Sequence, residues 1–306
     1  MATAGKVLIG GGTGFVGKAI RRRLDQRGYE CISVSRSAGP GQLTWRELKS
    51  RGLPENCQAV ISLQGENILN PLKFWTHAFK EEVWNSRVST TLALVNAVLE
   101  AKEAPECFLS ISGVGIYPPD RTIMYTETSK VSGEHDFLSS LASTWESAAF
   151  QAKDRCRTVV IRSGVVLGRE GGMIAHVQFP FMVGLGGRTG HGYQPFPWIH
   201  VDDLASLFVF AMDHPDLAPS GTVFNGVAPV LDNNRDFAKT YAEALHRPAF
   251  IPLFSPFVYA MFGPERAKMM LEGQRVVPKA VLDAGFEYEF PTLRDACQEL
   301  VSGGEF

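Results

Sequence analysis

The sequence predicts an α/β protein with a doubly wound parallel sheet and a small α-rich cap at its C-terminal end. Short apolar runs alternate with helical patterns through the first two-thirds of the chain, which is typical of parallel strands covered by helices on both faces. The last third carries helical patterns separated by prolines instead. These observations favour one sheet domain over residues 1–230, with a substrate-side insertion around residues 170–197, and a cap domain over residues 231–306.

The most informative stretch is the loop at residues 11–17, which directly follows the apolar run at residues 7–9. Glycines here let the backbone approach a pyrophosphate, and the helix behind them turns its free N–H groups towards the phosphates. That helix carries Val16, Ile20 and Leu24 on one face and ends near Gly28. The sequence therefore predicts a Rossmann dinucleotide site. The residues expected to contact the cofactor in this loop are Gly11, Thr13, Gly14, Phe15, Val16 and Gly17.

The end of the second predicted strand indicates which dinucleotide binds. An NAD site usually has Asp or Glu about 20 residues past the loop, where the carboxylate holds the ribose 2′-hydroxyl. This chain has Ser35 and Arg36 there instead. A hydroxyl and a guanidinium can bind a 2′-phosphate through charge-assisted hydrogen bonds, whereas a carboxylate would repel it. The sequence therefore predicts NADP(H) as the cofactor, the alternative being a solvated arginine at a strand end.

Further apolar runs at residues 59–63, 107–112 and 158–162 predict strands, and the spacing over residues 79–99 predicts one long helix. Ligands of such sheets bind at the carboxyl ends of the strands, so the segments that follow them should meet in one crevice. These segments contain Ser35, Arg36, Gln64, Gly65, Ser112 and Val166.

Composition narrows the function classes. Thirty basic residues against 32 acidic ones give a net charge of −2, which argues against a nucleic-acid partner. Five cysteines without a CxxC pair favour a reducing compartment and no zinc site, and no apolar run reaches the length of a membrane span. The start of the chain shows no targeting segment, so we expect a cytoplasmic protein, with a mitochondrial or nuclear location as the alternative.

Four stretches resemble the extended or atypical short-chain dehydrogenases/reductases, the group that contains sugar-nucleotide epimerases. They are residues 11–17, 62–65, 112–117 and 198–205. Residues 247–252 and 271–278 further resemble the small C-terminal domain of one branch, the epimerase family proteins (short-chain dehydrogenase/reductase family 39U). The resemblance covers nearly the whole chain. It implies an NADP-binding Rossmann fold and an oxidoreductase of unassigned substrate.

The resemblance also implies individual cofactor contacts. Ser35 and Arg36 match the pair that reads the 2′-phosphate. Leu63 and Gln64 match a backbone turn beside the adenosine, although the family often has Ala at position 64. The remaining implied contacts are Glu82 and Arg87 on the long helix, for which the alternative is an exposed helical charge, and Val166 near the nicotinamide end.

The catalytic motif of the superfamily is missing. Its reductases and epimerases use a Tyr followed four residues later by Lys, whose ammonium lowers the tyrosine pKa. None of the seven tyrosines has Lys at that spacing, and Tyr125 with Lys130 misses by one residue. Counting back from Trp145 puts Leu138 and Ala142 in the usual Tyr and Lys positions. The atypical branch shares this loss.

The remaining catalytic candidates are hydroxyl groups and histidines near the predicted crevice. Ser112, Tyr117 and Tyr125 are candidate proton donors, and His191 in a glycine-rich loop is a candidate acid or base, or else a surface histidine. His200, at the end of a predicted strand, is expected to be structural. The other histidines lack metal-ligand spacing, so no metal is expected.

Two function classes follow from these observations. The first is an NADP-dependent oxidoreductase or epimerase-like enzyme that acts on a small-molecule substrate with a non-standard proton donor. The second is a non-catalytic NADP(H)-binding protein that senses redox state or regulates a partner. The intact cofactor loop fits both classes. The sequence leaves the substrate, the reaction direction and the oligomeric state open.

Overall fold

A computed structural model of the protein describes residues 4–70 and 73–302. Its strands are β1 (Lys6–Gly10), β2 (Glu30–Ser35), β3 (Gln42–Thr44), β4 (Cys57–Ser62), β5 (Cys107–Gly113), β6 (Asp120–Tyr125), β7 (Arg157–Ser163), β8 (Val165–Gly168), β9 (Gly171–Gly172), β10 (Trp198–His200), β11 (Val223–Gly226) and β12 (Gln274–Val276). Seven of them form one sheet in the order β11-β7-β5-β4-β1-β2-β3, and every neighbouring pair is parallel.

Helices cover both faces of this sheet. They are α1 (Phe15–Gln26), α2 (Trp45–Arg51), α3 (His77–Asn85), α4 (Val88–Leu99), α5 (Phe137–Phe150), α6 (Ile174–Met182), α7 (Val201–Asp213), α8 (Asn234–Ala244), α9 (Ser255–Leu271), α10 (Lys279–Asp283) and α11 (Leu293–Ser302). Ile20 of α1 and Phe208 of α7 are buried against one face. Leu94 of α4 and Ala149 of α5 are buried against the other. This arrangement confirms the predicted doubly wound α/β fold.

The long helix predicted over residues 79–99 is wrong, because the chain forms two helices, α3 and α4, with a break at Ser86 and Arg87. The Ser86 hydroxyl accepts the Glu66 N–H at 2.9 Å and donates to the Val83 carbonyl at 2.9 Å. Arg87 donates to the Glu66 carbonyl at 3.0 Å. These bonds to a loop 20 residues away hold the break, and hydrophobic spacing carries no information about them.

The C-terminal region packs on the sheet domain through α8 and α11. Asn233 accepts the Asp236 N–H and is the N-cap of α8. Helix α9 turns sharply at Gly263, whose φ of 72° is left-handed, directly before Pro264. Strand β12 pairs in parallel with β6, and β8, β9 and β10 form a separate three-stranded sheet. The boundary near residue 230 stays a prediction.

All five cysteines are free thiols, and burial raises the pKa of Cys31 and Cys107 to about 12. Inert, protonated thiols in these strands fit core packing. No helix within the described ranges is both long and apolar enough to cross a membrane. Residues 1–3, on which the expectation about targeting partly rests, lie outside the described residues.

Candidate active site

The loop after β1 rests on backbone contacts that only glycine permits. Gly11 has a left-handed φ of 80°, and a Cβ on it would lie 2.9 Å from the backbone nitrogen of Gln64. A Cβ on Gly12 would lie 2.4 Å from the Ser33 hydroxyl of β2. The loop therefore sits tightly between the carboxyl ends of β4 and β2, at the crevice expected for a dinucleotide.

Gly14 and Gly17 have different surroundings. Gly14 is the N-cap of α1, its φ of −76° suits any residue, and a Cβ there would meet only the Gly11 carbonyl, at 3.2 Å. A Cβ on Gly17 would lie 2.4 Å from that carbonyl and 2.7 Å from the Gly12 Cα. Gly17 thus allows α1 to pack on its own loop. Gly14 leaves open space at the helix N-terminus, which fits a bound pyrophosphate.

The other residues of the loop at residues 11–17 lie at the same edge of the sheet. Thr13 is exposed and Val16 is partly buried against the core. The Phe15 ring packs against three glycines of the β8–β9 turn, since Cβ atoms on Gly168, Gly171 and Gly172 would lie 2.5, 2.8 and 2.9 Å from it. Phe15 therefore anchors the start of α1 to β8. Val166 belongs to β8 and pairs with Ile199 of β10.

Ser35 and Arg36 lie where β2 ends. The Ser35 hydroxyl oxygen accepts the Ser37 N–H at 3.2 Å and lies 2.9 Å from Gln42 Oε1. Arg36 is exposed and makes no hydrogen bond or ion pair with any residue in the described ranges. Its guanidinium is available for an anion beside the loop at residues 11–17, as a 2′-phosphate site requires.

The turn after β4 is held by buried polar groups. Gln64 Nε2 donates to Ser62 Oγ at 2.9 Å and to Thr91 Oγ1 at 3.1 Å, while Gln64 Oε1 is buried without a partner in the described chain. Leu63 continues the ladder by donating its N–H to the Gly10 carbonyl at 2.9 Å. The turn therefore presents backbone to the cofactor side and side chains to the interior.

Arg87 and Glu82 contact protein groups. The Arg87 guanidinium lies between Gly65, whose Cβ would be 2.9 Å from Arg87 Cζ, and the Trp145 ring, 5.5 Å from its centroid. Burial lowers the pKa of Arg87 to about 10. Glu82 is exposed and forms an ion pair with Lys73 at 2.8 Å. Arg87 thus positions the turn after β4, and a direct cofactor contact from either residue stays a prediction.

Ser112 and Tyr117 follow each other at the carboxyl end of β5 but have different environments. Ser112 is 3% exposed, pairs with Arg162 of β7, and its hydroxyl has no hydrogen-bond partner in the described chain. Tyr117 is fully buried and its hydroxyl donates to Asn225 Oδ1 at 2.8 Å. Burial raises the pKa of Tyr117. Tyr125 stacks on Tyr117, with ring centroids 5.0 Å apart.

A buried ion pair joins this region to α5, and the sequence analysis missed it. Arg162 donates to both carboxylate oxygens of Glu146 at 2.8 Å and to the Tyr117 hydroxyl at 2.8 Å. Burial acts to lower the Arg162 pKa, but the bonds and charge of Glu146 outweigh it and raise that pKa. Asn225 continues the chain of bonds to the Val277 carbonyl at 3.0 Å. The only sequence signal was an arginine inside an apolar strand.

Leu138 and Ala142, which the sequence predicts at the usual Tyr and Lys positions, both lie near the turn after β5. Leu138 lies beside Gly115, since a Cβ on Gly115 would be 3.5 Å from Leu138 Cβ. Ala142 is buried in one cluster with Tyr117 and Tyr125. Both lie on α5, which packs on the turn after β5. No phenol or ammonium therefore occupies these two positions.

The two candidate histidines contact other elements of the fold. His200 is buried, its Nε2 lies 3.1 Å from Glu299 of α11, and its ring lies 4.0 Å from Phe290. These contacts agree with the structural role expected for it. His191 is exposed and contacts Arg121 of β6. Within the described ranges, no three His, Cys, Asp or Glu side chains group as metal ligands.

A cavity of about 660 Å³ lies at the opposite edge of the sheet, where β2, β4, β5 and β7 begin. Ligands of doubly wound sheets bind at the carboxyl ends, so we do not assign the cofactor to it. Its lining includes Tyr29, Gln58, Glu106, Arg157 and Pro215.

Comparisons with known proteins agree with this geometry. The model of the NAD dependent epimerase/dehydratase family matches residues 7–225, and that of a domain of unknown function (DUF1731) matches residues 253–300. Epimerase family protein SDR39U1 of Homo sapiens is 48% identical over 297 residues, which is 97% of this chain and 100% of the relative. The chloroplastic SDR39U1 homolog of Arabidopsis thaliana is 31% identical, over 96% of this chain and 86% of its own.

Solved structures give the same result. The crystal structure of human SDR39U1 (isoform 2) with NADPH matches with a TM-score of 0.94 at 47% identity, covering 97% of this chain and 99% of that one. MoeE5 in complex with UDP-glucuronic acid and NAD matches with a TM-score of 0.72 at 18% identity over 96% of both chains, and so shares the fold alone. This chain therefore belongs to the NAD dependent epimerase/dehydratase family and, within it, to the epimerase family proteins of the SDR39U1 type.

Proposed function

We propose that this protein binds NADP(H) at the loop formed by residues 11–17 and acts as an oxidoreductase on a small molecule without a Tyr-Lys pair. One observation carries the proposal: the loop at residues 11–17 has open space at Gly14, and Arg36 after β2 has a free guanidinium. Leu138 and Ala142, predicted at the usual Tyr and Lys positions, carry neither a phenol nor an ammonium. The NADPH in the crystal structure of human SDR39U1 supports the choice of cofactor. Bound NADP(H) would supply the hydride chemistry, and the protein would position the substrate.

Ser112 is the hydroxyl best suited to assist a substrate oxygen. It lies at the carboxyl end of β5, and its oxygen is free of protein partners within the described chain. Tyr117 is less suited, because Asn225 and Arg162 occupy its hydroxyl and burial holds its proton. A serine is a weaker acid than a tyrosine beside an ammonium. General acid–base catalysis contributes about 10²–10⁴-fold, so turnover should be slow on that scale.

The buried network favours a second candidate, a non-catalytic NADP(H) sensor. Arg162, Tyr117 and Asn225 link the crevice side of β5 and β7 to the segment after β12. A change in redox state at the nicotinamide end of the crevice would then alter how the C-terminal region packs, and a partner protein would bind one packed form better than the other. Hydrogen exchange in residues 274–280 that differs between NADP⁺ and NADPH would favour this function.

The first test follows NADPH absorbance while the protein is offered a panel of aldehydes, ketones and sugar nucleotides. We expect slow oxidation that Ser112→Ala lowers roughly tenfold or more, since it removes the proposed donor. Ser110→Ala is the matched control, because Ser110 is buried on the same strand and bonds only the Ile111 carbonyl. If no compound causes NADPH oxidation, the proposed enzymatic function is wrong. Equal rates in both variants would contradict the role of Ser112.

A further inference from the structure

A group of cations lies on the loop before β10, at the start of α8 and on the neighbouring ribbon of β6 and β12. We call it the basic face, and its members are Arg121, Arg188, His191, Arg235 and Arg275. None of the four arginines forms an ion pair with a carboxylate in residues 4–70 or 73–302. Three arginines of α1 and its C-cap differ, because each of them faces a carboxylate. Those pairs are Arg22–Glu170, Arg23–Glu289 and Arg27–Asp213.

The imidazole of His191 contacts a second hydrogen-bond donor on this face. His191 Nδ1 accepts the Tyr193 N–H at 2.9 Å, so a neutral ring must carry its proton on Nε2. That nitrogen is in direct contact with Arg121 Nη2, which can only donate. Two donors therefore meet at this contact. An oxyanion that accepted from both would need the Arg121 side chain to move aside, and it would also offset the repulsion once His191 is protonated.

The backbone fixes the positions of these cations. Gly192 has a left-handed φ of 79°, and a Cβ there would lie 2.7 Å from Arg188 Cδ and 3.1 Å from Arg235 Cβ, so the two arginines flank one glycine. Two hydrogen bonds hold the loop in place, because Gln194 Nε2 donates to the Met270 carbonyl at 2.9 Å and to the Thr189 carbonyl at 2.9 Å. A fixed loop loses little entropy when it binds a ligand.

The basic face adjoins the crevice through the ribbon. Arg275 Nη1 donates to the Arg121 carbonyl at 3.3 Å. Gln274, the residue before it, pairs with Asp120 and donates its side-chain N–H to the Tyr117 carbonyl at 3.1 Å. Arg275 of the basic face therefore directly follows Gln274, which bonds the turn after β5. We expect this turn to lie on the substrate side of the predicted cofactor site.

We propose that the basic face binds the anionic group of the substrate, a phosphate or a carboxylate, and so restricts the substrate to anionic small molecules. This inference rests on the proposed function. Arginine guanidinium groups bind both anions through paired N–H bonds, and His191 Nε2 adds a further donor. Arg121 and Arg188 are both exposed, and the Arg188 guanidinium bonds no protein group in the described residues, so an anion that binds it replaces water alone.

The test titrates NADPH-saturated full-length protein with inorganic pyrophosphate and, separately, with citrate, by calorimetry. Saturation with NADPH keeps the added anion off the loop at residues 11–17. We expect saturable binding of at least one anion, weakened roughly tenfold or more in the Arg121→Ala/Arg188→Ala variant. Lys102→Ala/Lys153→Ala is the matched control, because it removes two exposed positive charges that lie outside the basic face and form no ion pair within the described residues.

Pyrophosphate binding alone would identify a phosphate-bearing substrate, and citrate binding alone a carboxylate. Binding of neither anion, or an equal loss in the control variant, would overturn the inference. The assay needs no turnover, so it separates the two proposals. A protein that oxidises NADPH but binds neither anion contradicts the basic face alone, and one that binds an anion but oxidises no NADPH contradicts the enzyme alone.

Discussion

The loop after β1 and the turn after β5 lie at the same edge of the sheet, but different forces shape them. Backbone atoms shape the first, where Gly17 lies so close to the Gly11 carbonyl that a side chain does not fit. Charged side chains shape the second, where Glu146 and Arg162 hold Tyr117. Packing of backbone survives changes elsewhere in the chain, whereas an ion-pair network depends on each partner. A family can therefore keep its cofactor loop while it replaces its catalytic groups.

The sharpest way to test this contrast is Glu146→Ala. It leaves the Arg162 guanidinium buried without its carboxylate, and breaking such a pair typically destabilises a protein by about 3–5 kcal/mol. Glu82→Ala is the matched control, since its pair with Lys73 is exposed and such pairs contribute about 0–1 kcal/mol. Urea unfolding measures both. A loss below about 1 kcal/mol for Glu146→Ala would mean that the charges do not hold this region.

The two glycines of the cofactor loop should separate stability from binding. Gly17→Ala forces a Cβ to 2.4 Å from a carbonyl oxygen, and such overpacking typically costs about 1–3 kcal/mol. Gly14→Ala meets no such contact, so the apo protein should keep its stability within about 0.5 kcal/mol. Its methyl group would occupy pyrophosphate space and raise the Kd for NADPH roughly tenfold or more. Unchanged NADPH binding by Gly14→Ala would disprove this assignment.

Arg36→Ala tests the choice between cofactors. Losing a hydrogen bond to a charged group costs about 1.5–3 kcal/mol, so the preference for NADPH over NADH should fall roughly tenfold to a hundredfold. Calorimetry with both cofactors measures it. Arg46→Ala removes a nearby exposed positive charge on α2 and should leave the preference intact. A wild-type protein that binds both cofactors equally would contradict the role of Arg36.

The smallest expected effect is the titration of His191. Burial, and then the charges of Arg121 and Arg188, lower its pKa below 6.5. The folded protein therefore binds this proton less readily than the unfolded chain, and the stability linked to His191 is lost as the pH falls from 6.5 through the folded pKa. Histidine NMR should show the pKa rising in Arg121→Ala and unchanged in Arg247→Ala. A pKa that does not move with Arg121 would contradict the contact.

Local sequence patterns predicted the loop after β1 and the strands beside it well. The glycine loop and the strand ending at Ser35 depend on residues within a few positions of each other, and they appear where expected. Leu138 lies beside the turn after β5, and its assignment to the usual Tyr position stays a prediction. These features can be predicted since propensity and spacing determine them.

Contacts between distant residues were not predictable. The break before α4 depends on Ser86 reaching Glu66, and the buried network joins Arg162 to Glu146 across two elements. Strand β12 has three residues and pairs with β6, so neither length nor alternation marks it. The basic face likewise combines β6, β12, α8 and a loop, and a single arginine in any one of them carries no signal.

The ribbon of β6 and β12 has a consequence for synthesis on the ribosome. Gln274 is made 157 residues after the Tyr117 carbonyl that it binds, whereas the seven-stranded sheet is complete once β11 has emerged. The nascent chain therefore finishes its nucleotide loop while β6 still has an open edge, and open edges invite aggregation. A chain truncated between β11 and β12 would keep this edge of β6 open, so the last residues of the chain close a surface that synthesis leaves exposed until late.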